Sequence, residues 1–250
     1  MGVVSGVSGA TQIVLWIVAA IMIVGCFAFV AMSTRSTEDN RHFFYASAFI
    51  PLVAATLYFA MASGYGTIVQ AGHTFYFARY IDWLITTPLL LLDLALVALP
   101  RYPGRSALLA ILMGTDAYMI ATGFVASYIR SNYRWAWFGF SCVAFLGILY
   151  IIGTRLLAGA RQRDPQVTRL FTTLAGTLVV LWVCYPIVWA LGQEGFGVIN
   201  PVWEAVLYGI LDVCAKVGFG FVLLSSPELT RVERTEARTP SGLPSFSSAD

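Results

Sequence analysis

The chain has 250 residues, 58% of them hydrophobic and 11% charged, with a mean hydropathy of +0.77 and a formal charge of +2. That balance excludes a water-soluble globular domain and offers no basic excess for a nucleic-acid partner, which leaves an integral membrane protein. Cys26, Cys142, Cys184 and Cys214 each sit in an apolar stretch without a CxxC pair, so they read as small core residues, not as a disulfide framework or a zinc site.

Seven apolar segments follow one another, at about 10–32, 42–63, 76–99, 105–127, 132–157, 169–191 and 201–226. Each can cross a hydrocarbon core about 30 Å thick, and each is predicted to be a helix because backbone in lipid must satisfy its own hydrogen bonds. No basic run precedes the first, so no cleaved signal peptide is expected. Pro51, Pro88 and Pro186 fall inside segments two, three and six, where a bundle supplies partners for the freed carbonyls. Residues 64–75, the long connection between segments two and three, carry turn residues and aromatics suited to a short hairpin.

Arginines set the expected orientation. The connections after segments one, three and five carry Arg35 and Arg41, then Arg101 and Arg105, then Arg155, Arg161, Arg163 and Arg169. The tail adds Arg231, Arg234 and Arg238, whereas the other side has Arg130 and Arg134, with Arg79 just inside segment three. The positive-inside rule then predicts an outer N-terminus and a cytoplasmic C-terminus. The expected architecture is all-α: residues 1–226 form one seven-transmembrane-helix domain, multi-pass in the plasma membrane, and 227–250 form a disordered cytoplasmic tail.

Lys216, in segment seven, is the only lysine. A cation inside hydrocarbon is costly unless it is paired, neutralised or chemically converted, so it is a functional candidate. Asp212 precedes it by four residues, on the same helix face. The pair reads either as a structural salt bridge or as an amine kept for condensation with an aldehyde to a Schiff base. Segment three carries Asp82 and Asp93 eleven residues apart, on one face and about 16 Å apart in depth. Thr86 shares that face, Arg79 lies one turn outside Asp82, and Asp116 is a further intramembrane acid. Arg79 and Lys216 against Asp82 and Asp212 make a balanced outer set of four. Asp93 has no cation near it in sequence, so burial favours its protonated form, able to give up a proton and take it back. Trp182, Tyr185, Pro186 and Trp189 follow the i, i+3, i+4, i+7 rule as one stripe, and Trp83 adjoins Asp82; rings around a lysine suit a flat conjugated ligand.

The stretches ARYIDWLITTPLLLLDLAL (78–96), LWVCYPIVWALGQEG (181–195) and LDVCAKVGFG (211–220) carry a resemblance to the microbial rhodopsins, most closely the haloarchaeal bacteriorhodopsins, that runs through all seven segments. The resemblance implies all-trans retinal bound to Lys216 as a protonated Schiff base, and light-driven outward proton movement. It implies Asp82 as acceptor and counterion with Thr86 beside it, Asp212 as second counterion, Asp93 as cytoplasmic donor, and Arg79, Glu194 and Glu204 as an outward release group. Trp83, Thr87, Leu90, Met119, Gly123, Phe138, Ser141, Cys142, Phe145, Trp182, Tyr185, Pro186 and Trp189 would line the retinal, and Tyr58 and Tyr185 would steady Asp212. Phe138, Cys142 and Phe145 depart from the bacteriorhodopsin pattern, where tryptophan, threonine and methionine stand, and bear on colour. Ser47 stands where a threonine usually bonds the donor. His42 and His73, at the membrane edges, read as surface residues. The family also implies a homo-oligomer, a trimer, among membrane lipids.

Pump and photosensor share this fold, so fold alone does not separate them. Sensory relatives typically carry an apolar residue at the Asp93 position, the phototaxis type has threonine where this chain has Ala215, and a sensor needs a membrane transducer. Chloride pumps carry a neutral residue at the Asp82 position. These residues favour a proton pump.

Overall fold

The computed structural model describes residues 7–34, 36–38, 40–70, 72–99 and 104–229. Arg35, Arg101, Arg231, Arg234 and Arg238, and the tail from residue 230 onward, lie outside the described residues. Among the described residues seven helices are long and apolar enough to cross a membrane: Gly9–Ser33, Arg41–Ala62, Phe77–Ala98, Arg105–Tyr128, Arg134–Ala160, Pro165–Leu191 and Pro201–Leu224. They match the seven segments expected from hydropathy, the largest shift being at the start of the sixth. Asp164 accepts from the Gln166 amide and Pro165 takes the first helical position, so that helix starts a turn early and takes in Arg169. Arg155 likewise lies inside the fifth helix, not in the connection after it. Asn200 and Pro201 start the seventh helix by the same device, Asn200 accepting from the Val202 and Trp203 amides.

The helices pack in chain order, and the seventh meets the first to close the ring. Gly209 permits that closure: a Cβ there would stand 2.6 Å from Val18 Cγ2. Between helices two and three, β1 (Ile68–Gln70) and β2 (His73–Phe75) form the expected antiparallel hairpin, Val69 opposite Thr74. His73 is exposed, as expected, and its Nδ1 lies 3.3 Å from Gln193 Oε1, which ties the hairpin to the connection between helices six and seven.

Polarity is inverted relative to a soluble bundle. Val24, Phe27, Tyr150 and Val180 are each at least 65% exposed, whereas Arg79, Asp82, Asp93, Asp116, Glu194, Glu204, Asp212 and Lys216 are at most 4% exposed. Apolar side chains face lipid and the charges collect within, the arrangement a bilayer solvent dictates. One cysteine expectation fails: Cys26 is buried, but Cys214 is on the exposed surface, because the face of the seventh helix opposite Lys216 looks outward. Cys142 and Cys184 are partly buried.

Candidate functional site

Lys216 lies in a π-helical turn, Cys214–Gly218, within the seventh helix. Turns of this kind concentrate at functional positions, since one extra residue re-aims a side chain. The Lys216 ammonium donates to Asp82 Oδ2 at 2.5 Å and stands 3.3 Å from Asp212 Oδ2. The two carboxylates are not equivalent. Asp212 accepts from Tyr58 OH at 2.7 Å, Tyr185 OH at 2.7 Å and Trp83 Nε1 at 3.2 Å. Three donors besides the lysine satisfy it as an ion. Asp82 has only Thr86, whose hydroxyl donates to the Asp82 carbonyl at 2.8 Å and reaches Oδ1 at 3.4 Å. The closer carboxylate is therefore the less supported one, and the better placed to take a proton from the lysine nitrogen.

Lys216 ends a slot lined by Trp83, Thr87, Leu90, Met119, Gly123, Phe138, Ser141, Cys142, Phe145, Trp182, Tyr185, Pro186, Trp189 and Asp212. Every residue expected around a ligand borders it. The slot and its mouth leave about 780 Å³ free of protein atoms. Its walls are aromatic, Phe138 stacking on Trp189 at 4.2 Å. Gly123 keeps one wall low: a Cβ there would stand 3.3 Å from Ser141 Oγ. An amine at the end of an apolar, ring-walled slot fits a long conjugated aldehyde. Tyr80, Ile120 and Tyr208 also line the slot, although the sequence carried no signal for them, and so does Ala215, which the sequence marked only as a position separating pump from sensor. Asp116 lies behind the wall, bonded by Thr87 Oγ1 at 2.7 Å.

Two groups lie away from the slot. Asp93 has Ser47 Oγ at 3.5 Å, and its Oδ1 has no hydrogen-bond partner among the described residues. A buried carboxyl with so little support is costly to keep charged. On the other side, Arg79 packs over the Tyr208 ring at 4.2 Å, and its Nη1 stands 3.8 Å from Glu194 and 3.6 Å from Glu204. Glu204 Oε2 accepts from the Gln193 amide at 2.7 Å. Burial and the Glu204 charge push Glu194 up to about 8 against the pull of Arg79. The balanced set of four read from the sequence is thus a set of six. Two cations face four carboxyls, and Glu194 is the one of the two glutamates that burial and its neighbour's charge hold toward the protonated form.

A profile of the family described as "Bacteriorhodopsin-like protein" matches residues 9–228. Bacteriorhodopsin of Haloterrigena sp. (strain arg-4) is 41% identical over 240 residues, covering 93% of this chain and 94% of its own. Thermophilic rhodopsin from Rubrobacter xylanophilus superposes with a TM-score of 0.88 at 44% identity, over 90% of this chain and 99% of that one. A rhodopsin of Coccomyxa subellipsoidea described as a light-driven proton pump gives 0.83 at 34% identity, over 88% and 98%. With seven membrane helices around a buried lysine and matches of this extent, the chain is a multi-pass membrane protein that belongs to the bacteriorhodopsin-like family.

Proposed function

We propose that the protein is a light-driven outward proton pump of the plasma membrane, with retinal held on Lys216 and the N-terminus outside. The observation that carries this reading is the pair of unequal acids flanking Lys216 on one helix, Asp82 at 2.5 Å and the weakly supported, buried Asp93 in the other half. The arginine bias of the connections supports the orientation. Lys216 would hold retinal through its nitrogen in the ring-walled slot, and retinal bound there would supply light absorption and a light-driven change of shape.

The chain's own residues give the proton a direction. Asp82 takes it from Lys216 Nζ, while Asp212 is already engaged by the donors Tyr58, Tyr185 and Trp83. Arg79 faces Glu194 at 3.8 Å and Glu204 at 3.6 Å, and its charge favours loss of the proton that Glu194 holds. Asp93 returns a proton to Nζ from the cytoplasmic half. Pro186, which removes a backbone hydrogen bond from the sixth helix at the slot wall, is where that helix yields to admit water toward Asp93.

Two variants test the two ends. Asp93→Asn removes the donor and keeps the acceptor. Deprotonation of the Lys216 nitrogen is expected to stay near normal, while reprotonation slows by about 100-fold, becomes pH dependent and recovers with azide. Flash spectroscopy reads this, and fast pH-independent recovery contradicts the assignment and favours a sensor. Glu204→Gln is expected to delay release until after uptake. Because Glu194 is raised to about 8, the proton is held below that pH and already lost above it. The unsubstituted protein is therefore expected to show the same delay above pH 8, and a pH indicator outside sealed vesicles records it.

A further inference from the structure

The two glutamates border different cavities in the outer half. Glu204 borders a polar vestibule with Arg79, Asn200 and Trp203. Glu194 borders a smaller cavity under the hairpin, with Ser127, Arg130 and Gln193 in its wall. That cavity has about 10 Å³ of room for the centre of a water molecule, space for one.

Ser127, at the outer end of the fourth helix, is 1% exposed. Its Oγ accepts from Trp189 Nε1 at 2.6 Å and is hydrogen-bonded to Tyr80 OH, and both rings line the slot that Lys216 ends. The trio brings three hydrogens: one indole N–H and two hydroxyls. Its two internal bonds use two of them. One hydroxyl hydrogen is left to donate outside the trio. When Tyr80 donates to Ser127, the Ser127 oxygen has both lone pairs filled and the free hydrogen is its own. Glu194 lines the same small cavity, and its Oε2 is buried with no hydrogen-bond partner among the described residues. A surplus donor and an unmet acceptor border the same space.

We propose that Ser127 is a positioning residue of the outward glutamate pair: it donates its hydrogen to Glu194, directly or through one water, and so ties the ionisation of Glu194 to the Trp189 hydrogen bond in the ligand slot. The inference rests on reading Glu194 and Glu204 as a proton-holding pair, but not on transport itself. With Glu194 ionised, Ser127 donates outward and the Trp189–Ser127 bond strengthens by polarisation. With Glu194 protonated, that pull is gone.

Other charges reach Glu194. Arg79 and Tyr80 face it from the third helix, Glu204 and Tyr208 from the seventh, and Tyr76 from the hairpin's end. Arg130 and His73 border the small cavity. Arginine and tyrosine keep one charge state between pH 5 and about 9, so a His73→Gln background isolates the glutamate pair in that window.

The test is a pH titration of the dark protein by infrared spectroscopy. It follows the glutamate carboxyl bands and the Trp189 indole N–H band, assigned by its loss in Trp189→Phe. In the unsubstituted protein the indole band is expected to shift with the same midpoint as the carboxyl bands, and in Glu194→Gln to stay fixed. Ser127→Ala is expected to raise the midpoint by about one pH unit, a tenfold gain in proton affinity, because the carboxylate loses a donor. Ser127→Thr, which keeps the hydroxyl, is expected to restore it. A Trp189 band that ignores pH in the unsubstituted protein overturns the proposal whether or not Ser127→Ala folds, and so does an unmoved midpoint in Ser127→Ala. A protein that transports no protons yet shows the linked titration defeats the pump reading alone.

Discussion

Asp82→Asn is expected to abolish proton transport and to move the absorption of the pigment to longer wavelength. Asp82 is the nearest acceptor to Lys216, and its side chain receives little other support. Asp212 cannot take over, because Tyr58, Tyr185 and Trp83 occupy its lone pairs. An amide in place of Asp82 also leaves one carboxylate to balance the buried Lys216 nitrogen. Breaking one partner out of a buried ion pair costs about 3–5 kcal/mol, so the protonated nitrogen becomes easier to deprotonate. Less negative charge near one end of a conjugated cation narrows its excitation gap, hence the red shift. Visible spectroscopy and light-induced pH changes read both effects, and a variant that still pumps at neutral pH with an unchanged spectrum contradicts the role given to Asp82.

Lys216→Ala is expected to remove the chromophore entirely. No other lysine exists in the chain, so no second side-chain amine can form the link to an aldehyde. The seven helices should still assemble, since the ring is closed by apolar and glycine contacts such as Gly209 against Val18. Two effects oppose each other in stability. The substitution leaves Asp82 and Asp212 without their cation and opens space at the slot's end, while it also relieves the burial of one charge. The readout is therefore covalent: borohydride reduction of the variant incubated with retinal is expected to leave no retinyl adduct. A retained covalent visible chromophore contradicts the assignment.

Much of this was legible in the sequence because helical spacing is rigid. Asp212 and Lys216 at i, i+4, Asp82 and Thr86 at i, i+4, and the Trp182 to Trp189 stripe all require only 3.6 residues per turn. The seven spans follow from bilayer thickness. What could not be read depends on which helices meet. Helical spacing alone does not bring Glu194 and Glu204 to Arg79, so the charge count from spacing stopped at four; only the family resemblance grouped them, and the structure puts them 3.8 and 3.6 Å from Arg79. Ser127 at the end of an apolar segment looks like any helix-end serine until the bonds of Tyr80 and Trp189 converge on it. Cys214 was misplaced for a similar reason, because hydropathy cannot separate a core-facing from a lipid-facing position in a membrane helix.

The measurement that tests the central claim most directly is external pH in a suspension of cells or right-side-out vesicles carrying the protein with retinal, in the light and in the dark. Outward proton pumping predicts that the medium acidifies on illumination, recovers in the dark, and shows no change once a protonophore is added. Illumination that leaves the external pH unchanged, or a light-induced alkalinisation that a protonophore enhances, would contradict it.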